Sequence, residues 1–472
     1  MASISSLGIG SGLDLSTLLD NLTTTEKAAL TPITNQQSAY SAKLTAYGSL
    51  KSALEAFQTA NTTLSSADLF ATTTATSSDT SAFTATTSAG AAAGKYNITL
   101  KQLAQAQSLT SGVQASSSAQ IGSTTNGGTR TLTIQQAGSD KPIEIKLTDD
   151  QTSLTGMRDA INNANAGVTA SIIKVSDNSF RLVVAADDTG TNNAMTISVT
   201  GDDKLQSFIG YDPKASNNGM TESVTAQNAQ LTVNGIDIER DSNTITDAPE
   251  GVTLTLLNTT TSTQTLTVTK DDSKSTAAIN NWVNAYNSLQ DTFSSLTHYT
   301  VVDAGADQDS SNGALVGDST LRSIQTQLKS LLTNAASSSS FKTLAQIGIS
   351  SDPVTGKLTV DNDKLADSLK SDSAGVKEMI IGDGKTTGIT TTIGSNLTNY
   401  MSDDGILTAA TNGVNDTLKS LTDQYNTTND RINDTIARYK TQFTQLDVMM
   451  NQLQQTSDYL TQQFAPTTND KS

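Results

Sequence analysis

The chain has no cysteine, one histidine, one tryptophan and few aromatic residues. Without cysteine there are no disulfides, thiolate nucleophiles, iron–sulfur clusters or Cys-based zinc sites. A single histidine rules out multi-His metal sites and removes the commonest acid–base residue near neutral pH. Positive charge is also scarce: 29 Lys and Arg stand against 46 Asp and Glu, a formal net charge of −17 at pH 7. Such a chain repels phosphate backbones and anionic lipid, so nucleic acid and membrane surfaces are poor partners. No run of about 18 apolar residues occurs, so no membrane-spanning helix is expected. The start of the chain has neither a basic nor an apolar region of the secretory-signal type.

What the chain has in quantity is hydroxyl. Thr occurs 76 times and Ser 56 times among 472 residues. Hydrophobic residues make up 35%, too few for one large core, yet they are patterned, and charged residues are only 16%. Thin-cored modules are therefore expected, and the length allows several.

Both ends carry helical periodicity. Over residues 16–64 the only breakers are Pro32 and Gly48, and Ile33, Tyr40, Leu44, Tyr47 and Leu54 recur by three, four and seven, with Gln37 and Lys51 at intermediate seam positions. The C-terminal stripe is cleaner: Ile436, Tyr439, Phe443, Leu446, Met450, Leu453, Leu460 and Phe464 follow steps of three and four, with Ser457 filling the gap. Upstream, Val414, Leu418, Leu421, Tyr425, Thr428 and Ile432 do the same, and two consecutive fours around Ile432 form a stutter that unwinds a supercoil locally. A weakly apolar rod needs partners along its length. The two ends can pair with each other within one subunit, or both can dock into a larger helical assembly. The two readings are compatible.

Between residues 71 and 271 the period changes to two. Tyr96, Ile98 and Leu100 alternate, as do Ile143, Ile145 and Leu147, then Phe180, Leu182 and Val184, and Val252, Leu254 and Leu256, which predicts half-buried antiparallel strands. Asn234-Gly235 between two such runs predicts a tight hairpin. One short amphipathic helix is expected around Met157 and Ile161. After residue 271 helices resume, one carrying Ile279, Trp282, Val283, Tyr286 and Leu289 on one face, and one over residues 319–333 with Asp318 or Ser319 as N-cap. A strand over residues 358–360 and a short helix through Leu365 and Leu369 follow.

Candidate chemistry is thin. His298 sits at a predicted helix end with no nucleophile elbow in the chain. The Gly8, Gly10 and Gly12 run lacks the strand and lysine of a phosphate loop. The Asp307, Asp309 and Asn312 segment resembles a calcium loop, but its glycine falls one residue late and the bidentate Glu is missing. Trp282 and Tyr286 read as core. Neither a catalytic residue nor a cofactor or metal ligand is assigned.

Several stretches resemble the flagellar filament-cap family, also called hook-associated protein 2. They are Ile4-Ser-Ser-Leu-Gly8-Ile-Gly-Ser-Gly12-Leu-Asp14, Ser153-Leu-Thr-Gly-Met-Arg-Asp-Ala-Ile-Asn162, Gly251-Val-Thr-Leu-Thr-Leu256, Trp282-Val-Asn-Ala-Tyr286-Asn, Gly317-Asp-Ser-Thr-Leu-Arg322 and Ile347-Gly-Ile with Gly356-Lys-Leu358. The resemblance spans essentially the whole chain in order. It implies an α+β multidomain fold with terminal coiled-coil helices (residues 1–42 and 417–472), a helical leg domain (43–70 and 272–416), and inserted antiparallel β-rich head modules (71–104 with 223–271, and 105–222). It also implies a non-enzymatic, secreted assembly factor at the distal filament tip, exported through the flagellar type III route. The implied partners are further copies in a ring, flagellin, hook–filament junction proteins and an export chaperone on the helix around Ile436 to Phe464, with host mucin as an adhesive target. A junction protein or a flagellin-like subunit is the alternative.

Overall fold

The computed structural model describes residues 7–8, 12–124, 129–333 and 338–464. Residues 4–6 and 9–11 of the N-terminal signature lie outside these, as does Ser337, the first residue of the Ser337–Ser340 run that the sequence predicts as a loop. Among the described residues the helices are α1 (Leu15–Lys27), α2 (Thr31–Leu64), α3 (Leu154–Asn163), α4 (Asp203–Ile209), α5 (Ser273–Leu296), α6 (Ser319–Thr333), α7 (Asn362–Ile380), α8 (Ile389–Met401) and α9 (Ile406–Gln463). The chain forms two compact units, Met1–Ser66 with Thr276–Ser472, and Ala67–Ser275. This is an α+β multidomain fold.

In the first unit α2 packs on α8 and α9, and α1 on α9. Its centre is aromatic. Phe57 lies 5.7 Å from both Trp282 and Tyr286, ring centre to ring centre, and Trp282 stacks on Tyr286 at 6.2 Å. Burial pushes the Tyr286 hydroxyl up to about 12. Asn61 is the polar node of this core: it accepts from the Trp282 indole at 3.0 Å and donates to the Thr390 carbonyl at 2.7 Å, joining α2, α5 and α8. The hairpin of Ile349–Ser351 and Leu358–Val360 is fixed to α5 by the Asn287 amide, which bonds both the N–H and the C=O of Leu358.

The sequence reading of α2 needs one correction. Lys51 is exposed, and the seam position between Tyr47 and Leu54 belongs to Leu50, which is fully buried. The run Tyr47, Leu50, Leu54, Phe57, Asn61 and Leu64 keeps steps of three and four, so the stripe shifts by one position at Tyr47 and runs on into the aromatic core at Phe57. The short helix expected through Leu365 and Leu369 is present, capped by Asp361, and non-helical backbone at Asp372 separates it from the rest of α7; α8 was not anticipated.

The second unit holds two cores. One joins a five-stranded antiparallel sheet, in the order Thr73–Ser77, Gln264–Lys270, Gly94–Gln102, Ala229–Val233 and Ile236–Arg240, to a three-stranded sheet of Thr244–Ile245, Val252–Leu256 and Phe83–Thr87. Phe83, Ile98, Leu100, Leu231, Leu254 and Leu266 fill it. Residues Val252–Leu256 alternate buried and half-buried, the pattern period two predicts. The hairpin turns at Asn234 (φ 49°) and Gly235 (φ 82°), backbone angles that Asn tolerates and Gly adopts freely.

The other core lies between a four-stranded sheet (Met220–Val224, Ser108–Ser111, Ser179–Ala186, Val168–Ser176), a three-stranded sheet (Ile143–Leu147, Arg130–Gln136, Met195–Thr200) and α3 and α4. A fully buried ion pair pins it: Arg130 Nε lies 3.1 Å from Asp202, whose carboxylate also caps α4 and accepts from Ser123 N. Asp149, 2.8 Å from the same guanidinium, completes the cluster.

Candidate assembly surface

The helix α9 spans 58 residues, or about 87 Å at 1.5 Å per residue. It runs antiparallel to α1 and α2, as two contacts show. Gln37 Nε2 donates to Thr422 Oγ1 at 3.3 Å, and Tyr439 Oη donates to Glu26 at 3.4 Å. Leu15, Leu19, Leu30 and Ile33 are buried on the N-terminal side of this pairing, and Leu407, Val414, Leu421 and Ile432 are buried on α9.

Around Tyr47 the seam becomes polar. Tyr47 Oη donates to Asp318 at 2.7 Å, Lys43 Nζ lies 2.9 Å from the same carboxylate, and Asp318 caps α6 by accepting from Leu321 N. Burial alone would raise the Asp318 carboxyl, but the bonds from Tyr47, Leu321 and Lys43 outweigh it and hold the carboxyl below its ordinary value. Burial and the adjacent carboxylate push the Tyr47 hydroxyl up.

The stripe residues separate into three groups. Ile33, Tyr47, Leu54 and Ile432 are buried inside the unit, and Tyr40, Leu44, Tyr425, Ile436, Tyr439, Phe443 and Met450 are half-buried. Leu446, Leu453, Leu460 and Phe464 are exposed, at 38%, 57%, 49% and 83%. Met449 widens the uncovered face, and the exposed Val448 lies on the opposite side of the helix. One apolar stripe thus begins as an internal seam and ends with nothing on it among the described residues. Leu15, Leu19, Leu30, Leu50 and Phe57 also belong to the internal seam and were missed from sequence. The three-and-four spacing from Tyr47 onward was the signal that could have found Leu50 and Phe57.

Comparison with known proteins places this arrangement. The model of the flagellar hook-associated protein 2 N-terminus matches residues 11–107, that of its C-terminus matches residues 226–455, and the flagellin hook IN motif matches residues 131–188. The flagellar hook-associated protein 2 of Escherichia coli K12 is 62% identical over 472 residues, covering all of both chains. The chain belongs to the flagellar hook-associated protein 2 family. The Salmonella typhimurium relative is 55% identical over 98% of this chain and 99% of its own. The crystal structure of the D1-D2-D3 domains of the flagellar cap protein from Escherichia coli matches with a TM-score of 0.72 and 59% identity, over 78% of this chain and 99% of that one. Within the flagellum the protein is therefore of the filament-cap type, located at the filament tip. The alternative of a junction protein or flagellin-like subunit finds no support in these matches.

Proposed function

We propose that copies of this chain close into a ring at the distal end of the filament, where the ring receives flagellin subunits and promotes their folding and insertion without enzymatic chemistry. The observation that carries this is the uncovered apolar end of α9. Burying a Leu or Phe side chain contributes about 1.5–3 kcal/mol, so residues 446–464 offer a partner a large gain that the chain alone leaves unused. Residues 1–42 with 417–472 form the filament-facing part in this reading, 43–70 with 272–416 the leg, and 71–104, 223–271 and 105–222 the head modules. Before export, the same end of α9 is the surface a chaperone would shield, and junction proteins are the first neighbours on arrival.

The test replaces Leu453 and Leu460 by Gln in the full chain, in cells lacking their own cap. We expect short or absent filaments and flagellin lost to the medium, with the fluorescence of the sole tryptophan unchanged. Filaments of normal length would refute the assignment.

A further inference from the structure

We propose that neighbouring copies in the ring are joined head to tail through the leg: the acidic loop over residues 297–318 of one copy seats in the groove between α6 and the 352–356 turn of the next. This rests on the ring reading above.

The loop is an ordered projection. Its base is closed by Gly313 N to the His298 carbonyl at 2.8 Å, Leu315 N to the Leu296 carbonyl at 2.9 Å, and Thr300 N to Asn312 Oδ1 at 2.7 Å, with Leu315 fully buried beneath. Asp309 accepts from Ser311 N at 2.8 Å and shapes the return limb. Above this base stand Asp303 and Asp307, and no cation lies within the segment. Among the described residues neither Asp303 nor Asp307 is in an ion pair. Beside them Val301 is 81% exposed, and Tyr299 and Val316 are exposed as well. Exposed Tyr299, Val301 and Val316 beside carboxylates outside any ion pair give the loop a mixed apolar and acidic surface.

The groove carries the opposite features. It encloses about 410 Å³ and is lined by Gln290, Gln325, Thr326, Lys329 and Val354 among others. Arg322, Gln325, Thr326 and Lys329 fall at i, i+3, i+4 and i+7, which puts both cations of this stretch on one face of α6. Neither Arg322 nor Lys329 is in an ion pair among the described residues. Val354 is 91% exposed because Asp352 builds the turn around it, accepting from Val354 N at 2.9 Å and Thr355 N at 2.7 Å. Each surface thus offers what the other lacks, two free carboxylates against two free cations, and a bare valine on each side.

The two surfaces belong to the same helical unit. The loop runs directly into α6 through Asp318, and the 352–356 turn lies beside α5 where Lys357 pairs with Asp291 at 2.6 Å. Two different patches in contact make a heterologous interface with no two-fold axis between neighbours, the kind from which a ring is built when its rotation closes. The charges set orientation and the valines supply the buried contact.

The absence of native cysteine makes the test direct. Full-length Val301→Cys and Val354→Cys proteins are prepared separately, mixed, and oxidised mildly. We expect a disulfide-linked pair containing one of each, and little linkage within either variant alone. In sedimentation, Lys329→Asp should weaken assembly about tenfold, and adding Asp307→Lys to the same chain should restore it. Tryptophan fluorescence checks that each variant is folded. If the wild-type chain assembles but shows no 301–354 linkage and no response to Lys329→Asp, the loop–groove contact is wrong and the ring reading stands. A linkage of 301 to 301 would replace it with a two-fold contact. If the wild-type chain stays monomeric at high concentration, both readings fall.

Discussion

Asn61→Ala is the most informative single change in the helical unit. The Asn61 amide spends its oxygen on the Trp282 indole and its NH₂ on the Thr390 carbonyl, in a site where Asn61 is 2% exposed and Trp282 equally so. Losing the side chain removes two hydrogen bonds, each contributing about 1 kcal/mol net. It also leaves the indole N–H buried without an acceptor, which costs about 1–3 kcal/mol. Together these predict about 3–5 kcal/mol, before any cavity contribution. Trp282 is the sole tryptophan, so urea unfolding followed by its emission reports this unit alone, which matters in a chain that need not unfold in one step. The mechanism is separable by a double-mutant cycle with Trp282→Phe, followed by helical ellipticity. Once the indole N–H is gone, Asn61→Ala should cost about 1–2 kcal/mol less. A single-mutant loss under about 0.5 kcal/mol, or strict additivity in the cycle, would refute the claim that this bridge holds α2, α5 and α8 together.

Three other outcomes follow from the same packing. Leu50→Ala should destabilise the helical unit by about 2–5 kcal/mol, whereas Lys51→Ala should stay within about 0.5 kcal/mol in the same urea titration. Arg130→Met leaves the Asp202 carboxylate buried without its cation and should cost the β unit about 3–5 kcal/mol, while a paired Arg130→Met and Asp202→Asn replacement, which removes the orphaned charge and keeps an N-cap for α4, recovers part of it, read by β-unit melting in the full chain. Asp318 has a folded pKa below its unfolded value, so its contribution is present above about pH 4 and lost as pH falls through the folded pKa; Asp318→Asn should therefore flatten the acid limb of the stability profile.

The parts of the fold legible in sequence are those where one period governs burial. The strands alternate because one face of each sheet meets a core, and the 319–333 helix was bounded correctly because Asp318 both ends the loop and caps the helix. Leu50 was misread because a seven-residue step from Leu44 lands on Lys51, and nothing in local spacing announces that the buried stripe shifts by one position at Tyr47. α8 went unseen because its apolar face, Ile389, Ile393, Leu397 and Tyr400, is diluted by Thr, Ser and Asn that bond back to their own helix. The 297–318 loop and the groove beside α6 were invisible for a different reason. Asp303, Asp307, Arg322 and Lys329 look like ordinary solvated charges until the fold shows which of them lack a partner.

The stripe on α9 shows the limit of periodicity most clearly. Spacing says which face of a helix is apolar, but it does not say what covers that face. Here the answer is a matter of length. With Glu26 opposite Tyr439 in an antiparallel pair, equal rise per residue puts Leu15, the first residue of α1, level with about Met450. α9 continues to Gln463, so its last three to four turns extend past the end of α1. That mismatch accounts for the split between half-buried Met450 and exposed Leu453, Leu460 and Phe464 without appeal to any change in the sequence pattern. It also fixes the dynamics of the free protein. Amides of 451–463 are held only by single-helix hydrogen bonds, and a helix of this length alone is marginal in water, so they should exchange with solvent orders of magnitude faster than those of 414–440, which open only when the seam opens. Hydrogen exchange on the monomer should show the step near residue 450. Assembly should then protect 451–463 while changing 414–440 little. Equal protection along the whole of α9 in the monomer would mean that something other than α1 already covers its end, and the apolar face could no longer be counted as available to a partner.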